Sequence, residues 1–162
     1  MFNFFKKDKN SKNISFKSPL KGEIINIEDV EDPVFATKVL GEGIAIKPFE
    51  GKVFAPINGT IETIFPTNHA LGIKINNEIE MLIHIGINTV ELNGKFFKSY
   101  VENGAKINEG DLLIEFDLEK IKESGYSITT PIIITNMGSF SKLKLSATGN
   151  IENGEELFTL SK

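Results

Sequence analysis

Met81-Leu82-Ile83-His84-Ile85-Gly86-Ile87 is an apolar run with a single imidazole at its centre. Strand alternation puts Leu82, His84 and Gly86 on one face and Met81, Ile83, Ile85 and Ile87 on the other. The second set of aliphatics fills a core behind the ring, so the histidine rides on a rigid element. Gly86 is expected to leave an empty place beside the imidazole, where a ligand or another backbone approaches closely. A lone histidine in an apolar strand is ordinarily a satisfied core residue. What flanks it decides between the two readings.

Outward from this run the chain is a series of short β-prone segments set between Gly, Pro, Asn and Asp, with little helical periodicity. Strands are predicted at residues 23–27, 43–47, 51–55, 59–64, 71–75, 79–85, 112–116, 132–136, 151 and 157–160. Helix is predicted only at 32–40, 94–102 and 118–123. Two weak repeats run through the chain. Ser18-Pro19-Leu20-Lys21-Gly22-Glu23-Ile24 echoes Ala55-Pro56-Ile57-Asn58-Gly59-Thr60-Ile61, and Lys106-Ile107-Asn108-Glu109-Gly110-Asp111-Leu112 echoes Asn150-Ile151-Glu152-Asn153-Gly154-Glu155-Glu156. Their unequal spacing excludes a regular solenoid. The expectation is an all-β protein, an antiparallel β-sandwich or barrel of two interlocked halves with a few short helices.

Composition narrows the chemistry. The chain has 162 residues and 40% hydrophobic content, enough for one domain with its own core. It has no cysteine, which removes disulfides, thiolate nucleophiles and cysteine metal sites and permits a reducing compartment. A net charge of -4, with lysine as the only cationic residue type beside the two histidines, argues against nucleic acid as a partner. Met1-Phe2-Asn3-Phe4-Phe5-Lys6-Lys7 has apolar residues before its bases, the reverse of a signal peptide, and is too short to span a bilayer. Residues 1–13 are expected to be a flexible tail, with weak contact between its phenylalanines and lysines and an anionic membrane surface as the sharper reading.

Ordinary enzyme motifs do not fit. Gly41-Glu42-Gly43-Ile44-Ala45-Ile46 lacks the third glycine of a dinucleotide loop, no phosphate-binding Gly-Lys-Ser/Thr loop occurs, and no serine sits in a nucleophile elbow. The carboxylates fall at turns and solvated faces. Ile73-Lys74-Ile75 only imitates the modified lysine of a biotin- or lipoyl-type carrier.

The segment around the histidines is more specific. Thr67-Asn68-His69-Ala70, then Leu82-Ile83-His84-Ile85-Gly86-Ile87-Asn88-Thr89-Val90-Glu91-Leu92-Asn93-Gly94, then Gly104, Gly110-Asp111 and Phe116-Asp117 closely resemble the glucose-type enzyme IIA (EIIA) of the bacterial phosphoenolpyruvate-dependent sugar phosphotransferase system (PTS). Further matches extend the likeness over nearly everything after Ile14. The resemblance implies an EIIA type-1 domain over residues 14–162, with no IIB or membrane IIC segment. It implies a cytoplasmic phosphocarrier that takes phosphate from phospho-HPr onto a histidine and passes it to an EIIB domain of a sugar permease.

By the same resemblance His84 is the phosphorylated nucleophile, His69 the second active-site histidine, and Thr67 the hydroxyl that positions His69. Phe35, Val39, Leu40, Phe65, Leu71, Leu82 and Val90 match apolar positions that meet partners. Asn88 is a partner-facing position where relatives usually carry Asp, and Phe96 replaces a residue that is usually Gly. No cofactor is required, although in relatives zinc can sit between the two histidines with a carboxylate from a partner. The alternative function is a regulatory or zinc-binding module that binds permeases or kinases through the same face without efficient transfer. Chemically the site is coherent: a neutral imidazole is a good nucleophile near neutral pH, and phosphoryl transfer needs positioning and hydrogen-bond donors more than a strong base.

Overall fold

The computed structural model describes residues 13–162. The expected tail at 1–13 thus falls, but for Asn13, outside the described residues. Among the described residues there are fourteen strands: β1 Ile14–Lys17, β2 Gly22–Asn26, β3 Glu42–Pro48, β4 Lys52–Phe54, β5 Gly59–Ile64, β6 Ala70–Ile75, β7 Ile79–His84, β8 Phe97–Ser99, β9 Lys106–Ile107, β10 Leu112–Phe116, β11 Thr130–Asn136, β12 Lys142–Leu145, β13 Asn150–Ile151 and β14 Glu156–Ser161. The described residues also form two short α-helices, α1 Pro33–Ala36 and α2 Leu118–Glu123, and 3-10 turns at Ile27–Asp29 and Thr89–Leu92. All the strand pairings are antiparallel. The all-β expectation is met.

The strands form one large sheet, ordered β13-β2-β3-β11-β7-β6-β5-β9, and two three-stranded sheets, β1-β14-β12 and β4-β10-β8. Read inward from its two edges, the large sheet repeats itself: β13-β2-β3-β11 from one side and β9-β5-β6-β7 from the other. The sequence repeats fall on these equivalent places. The first pair contains β2 and β5, and the second contains β13 and β9. One half, β4–β10, is continuous in the chain and is inserted between β1–β3 and β11–β14 of the other. The main core draws on both halves, including Phe16, Ile46, Ile61, Ile73, Ile83, Ile114 and Phe158.

Local chemistry explains the central hairpin. Along β7, Ile79, Met81 and Ile83 are buried while Glu80, Leu82 and His84 are only partly covered. Asn76 and Asn77 both adopt positive φ, 53° and 58°, which asparagine tolerates and which suits the twist of a tight hairpin between β6 and β7. The register pairs Ile75 with Ile79 and Ala70 with His84.

Several local expectations need correction. The helix predicted at 94–102 is absent: Gly94 and Phe96 have φ of 87° and 78°, and Phe97 enters β8 instead. Phe96 thus holds a left-handed backbone that favours glycine, the residue usual there in the resembling family. The helix predicted at 32–40 shrinks to α1, because Lys38 turns to φ 62°. Strands β1, β8, β9 and β12 were not predicted; each has four residues or fewer, too short a run to stand out even where, as in β1 and β12, apolar and polar residues alternate. Alternation along the opening run also stops at Gly86, whose φ is 76°. Ile87 therefore leaves the face of Met81, Ile83 and Ile85 and joins a second apolar cluster with Ile27, Val30, Phe35, Ala45 and Ile133.

The two halves differ in tightness at equivalent glycines. A Cβ at Gly22 would lie 2.1 Å from the Lys47 carbonyl oxygen, and one at Gly59 would lie 2.8 Å from that of Lys74. Neither position has a left-handed φ, so contact alone sets the cost. Urea unfolding is expected to show that Gly22→Ala costs roughly 2–4 kcal/mol and Gly59→Ala roughly 1 kcal/mol.

Candidate functional site

The hairpin brings the two histidines together. His84 ends β7, His69 directly precedes β6, and the Ile85 N–H donates to the His69 carbonyl at 2.7 Å. Their ring centroids are 4.9 Å apart with planes at 83°. They stand on the face of the large sheet opposite the main core, beside the second apolar cluster, against which Leu82 packs. The cross-strand neighbours of His84 and Leu82 on β6 are Ala70 and Gly72, small residues that leave this face low.

Each ring is held at Nδ1. The Gly86 carbonyl lies 2.8 Å from Nδ1 of His84. A carbonyl can only accept, so Nδ1 carries the proton, and the neutral ring keeps its lone pair on Nε2. In the other ring, Nδ1 of His69 and the Thr67 hydroxyl are 2.5 Å apart. The loop that carries Thr67 is tight, with Asn68 at φ 58° and its N–H on the Phe65 carbonyl at 2.7 Å. Aromatic rings brace both imidazoles. Phe35, from α1, lies 5.2 Å from His84, and Phe65 meets His69 edge-on at 5.5 Å.

No empty place exists beside His84 at Gly86. A Cβ there would lie 2.6 Å from Thr89 Cγ2 and 2.7 Å from the Ser127 carbonyl oxygen. The glycine is needed because backbone and side chain already crowd it, and because its φ is left-handed. Its part in the site is its carbonyl, which the sequence reading missed.

Burial favours the neutral form of both rings. Burial, followed by the neighbouring His84, pushes the His69 pKa down to about 4. His84 is also lowered by burial, opposed by its hydrogen bond to Gly86 and by the nearby Asp32 carboxylate. Asp32 is a second residue that sequence reading passed over. It caps α1, accepting from the Val34 N–H at 3.0 Å, and the Asp-Pro pair that opens the helix was the available signal.

The apolar positions separate. Phe35 is buried against His84, and Phe65 and Leu82 are partly covered. Val39, Leu40 and Val90 are 73%, 38% and 49% exposed, on the segments that flank the site, as is Val34 at 47%. Leu71 is corrected: it is 0% exposed, lies in the main core beneath the sheet and cannot meet a partner. Asn88 is exposed, with φ 62°, at the start of the 3-10 turn. Among the described residues no three His, Cys, Asp or Glu side chains are placed to hold a metal ion. The paired histidines by themselves offer two ligands, fewer than a protein zinc site uses.

Comparison with known proteins places this geometry. The family model for the phosphoenolpyruvate-dependent sugar phosphotransferase system, EIIA 1, matches residues 14–140. The chain belongs to that family. It is 48% identical over 144 residues to the glucose-specific EIIA component of Staphylococcus epidermidis, covering 89% of this chain and 87% of the relative. The glucose-specific EIIA component of Buchnera aphidicola is 48% identical over 152 residues, with 94% of each chain covered. A beta-glucoside-specific EIIBCA component of Halalkalibacterium halodurans is 45% identical over 145 residues; the match covers 90% of this chain but 23% of that protein. The solved glucose permease IIA of Mycoplasma capricolum superposes with a TM-score of 0.88 at 36% identity, covering 98% of this chain and 99% of that one.

This EIIA chain is a PTS phosphocarrier, a class that works without a cofactor between HPr and an EIIB domain. No helix among its described residues is long and apolar enough to cross a membrane.

The depressed pKa of His69 has a consequence for stability. Between its ordinary value of 6.5 and about 4 the unfolded chain takes up the proton while the folded ring stays neutral, so stability falls as pH falls through that window. The contribution lost by its lower edge is about 3 kcal/mol. Denaturation measured across this range is expected to show a shallower acid limb for His69→Gln than for wild type.

Proposed function

We propose that His84 carries the phosphoryl group on Nε2 and that His69 serves its onward transfer. The observation that carries this reading is the hydrogen bond from Nδ1 of His84 to the Gly86 carbonyl, which leaves Nε2 as the nucleophilic atom beside a second imidazole. The Nε2 lone pair attacks the phosphorus of phospho-HPr. A new P–N bond forms as the bond to the donor nitrogen breaks, and in a second displacement a nucleophile of EIIB attacks the phosphorus as its bond to Nε2 breaks. Thr67 positions His69. With its hydroxyl donating to Nδ1, the proton of the neutral His69 ring sits on Nε2, ready to donate to a phosphoryl oxygen.

Phe35, Phe65 and Leu82, with the exposed Val39, Leu40 and Val90, form the surface that excludes water when a partner docks. Asn88 faces that partner without the carboxylate usual in the family, and Asp32 remains as the acidic group nearest in effect to His84. The domain runs over residues 14–162 and works in the cytoplasm. The names of its relatives point to a glucose-type permease as recipient. Regulated permeases or kinases would use the same apolar face, with phosphorylation of His84 as the switch. Zinc would be held by His69 and His84 only when a partner carboxylate completes the set, and would cross-link the two proteins rather than serve transfer. Membrane contact would belong to the tail alone.

Phosphate supplied from phosphoenolpyruvate through enzyme I and HPr tests the relay. Wild type is expected to take up acid-labile label, His84→Ala none, and His69→Gln to take up label but fail to donate it to EIIB. An unlabelled wild type in the presence of active partners would sink the assignment. Asn88→Asp is expected to speed uptake from HPr at low salt, and the gain should fade as salt rises.

A further inference from the structure

The hydrogen bond that fixes His84 depends on where the Gly86 carbonyl points, and glycine does not stiffen its own backbone. Three consecutive peptide units after β7 are pinned from outside the strand. The Ile85 N–H donates to the His69 carbonyl, the Ile85 carbonyl accepts from the Thr89 hydroxyl, and the Ile87 N–H donates to the Ser127 carbonyl at 3.0 Å. Because a trans peptide is planar, with C=O and N–H on opposite sides, an Ile87 N–H held on Ser127 aims the Gly86 carbonyl the other way, onto the imidazole. That leaves the Ile85–Gly86 unit, which Thr89 holds through its side chain. Thr89 is 0% exposed and is one of few polar residues in the interior. Its methyl also closes one side of Gly86.

We propose that Thr89 is a positioning residue for His84: its buried hydroxyl locks the peptide before Gly86, so that the Gly86 carbonyl holds the ring proton on Nδ1 and Nε2 stays bare. The segment that supplies Ser127 is anchored alongside, since the Tyr126 hydroxyl donates to the Glu91 carboxylate at 3.0 Å within the same 3-10 turn that carries Thr89. Without the hydroxyl the Ile85 carbonyl loses its partner, the peptide rotates about glycine, and the imidazole samples both tautomers. The effect on phosphate uptake rests on the assignment of His84 as the acceptor; the tautomer itself does not.

The test compares Thr89→Ser with Thr89→Ala in the full chain, a pair that differs by the hydroxyl alone. Long-range proton–nitrogen spectra of the imidazoles at neutral pH, with no phosphate donor present, read the tautomer directly. Wild type and Thr89→Ser are expected to show a protonated Nδ1 and a bare Nε2 on His84, and Thr89→Ala the averaged shifts of two tautomers. Uptake from phospho-HPr is expected to fall roughly tenfold or more in Thr89→Ala and to recover in Thr89→Ser. A wild-type pattern in Thr89→Ala, or its loss in Thr89→Ser, overturns the proposal. Should the alanine variant not fold, the wild type decides: a slowly exchanging Thr89 hydroxyl proton close to the α-protons of Gly86 is expected, and rapid exchange overturns it. Unaltered tautomers would reject the role of Thr89, whereas altered tautomers without any uptake in wild type would instead reject His84 as acceptor.

Discussion

The antiparallel pairing of β7 with β11 joins the two halves of the large sheet, and the site is built upon that seam. Met81 and Ile83 project from β7 into the main core, and Ile132 and Ile134 do so from β11. The opposite face of the same strands gives Leu82 and Ile133 to the smaller cluster beneath Phe35. Both faces of β7 are therefore occupied up to His84, where the strand ends and the ring comes to the edge of the packed region. A one-residue slip would send Met81 and Ile83 to the histidine face and the imidazole into the core, so burial on two sides fixes the register. Precision at His84 follows from packing that has no chemistry of its own.

Neutrality of the rings follows from the same arrangement. An imidazole flexible enough to reach water would be protonated through part of the physiological range and would lose its lone pair. Burial holds His69 neutral, and its acid-limb penalty in stability accompanies that role. His84 is treated differently: burial lowers its pKa while the Gly86 carbonyl and Asp32 oppose the shift. Two histidines 4.9 Å apart are thus given unequal character by their surroundings.

What was legible in the sequence was periodic or chemically singular. Residues 59–64 and 112–116 match strands β5 and β10, and 118–123 matches α2, because β-prone residues follow Asn58-Gly59 and Gly110-Asp111 turns and Asp117 caps the helix. The two histidines stood out by scarcity, and the hairpin that joins them was marked by Asn76 and Asn77. The reading failed where a single dihedral overrides the pattern. Gly86 broke the alternation that had put Ile87 on the core side, Lys38 cut short α1, and Phe96 turned an expected helix into β8. Leu71 was assigned to partner contact by the resemblance alone and is core because strand pairing turns it to the inner face opposite Ile83. Asp32 and the Gly86 carbonyl act on His84 from elsewhere in the backbone path, and no local pattern announces a carbonyl as a ligand for an imidazole.

The insertion of one half within the other bears on how the chain is made. On the ribosome, β4 to β10 emerge as an unbroken stretch and can form hairpins as they leave the tunnel, His69 and His84 among them. Their seam partner β11 comes later, and β1 must wait for β14 at the far end of the chain before its edge is covered. Such distant pairings close slowly. A nascent chain that has not yet released β11 and β14 therefore has both imidazoles and neither their rigidity nor their dryness, and the geometry of the site is set only once those strands have paired.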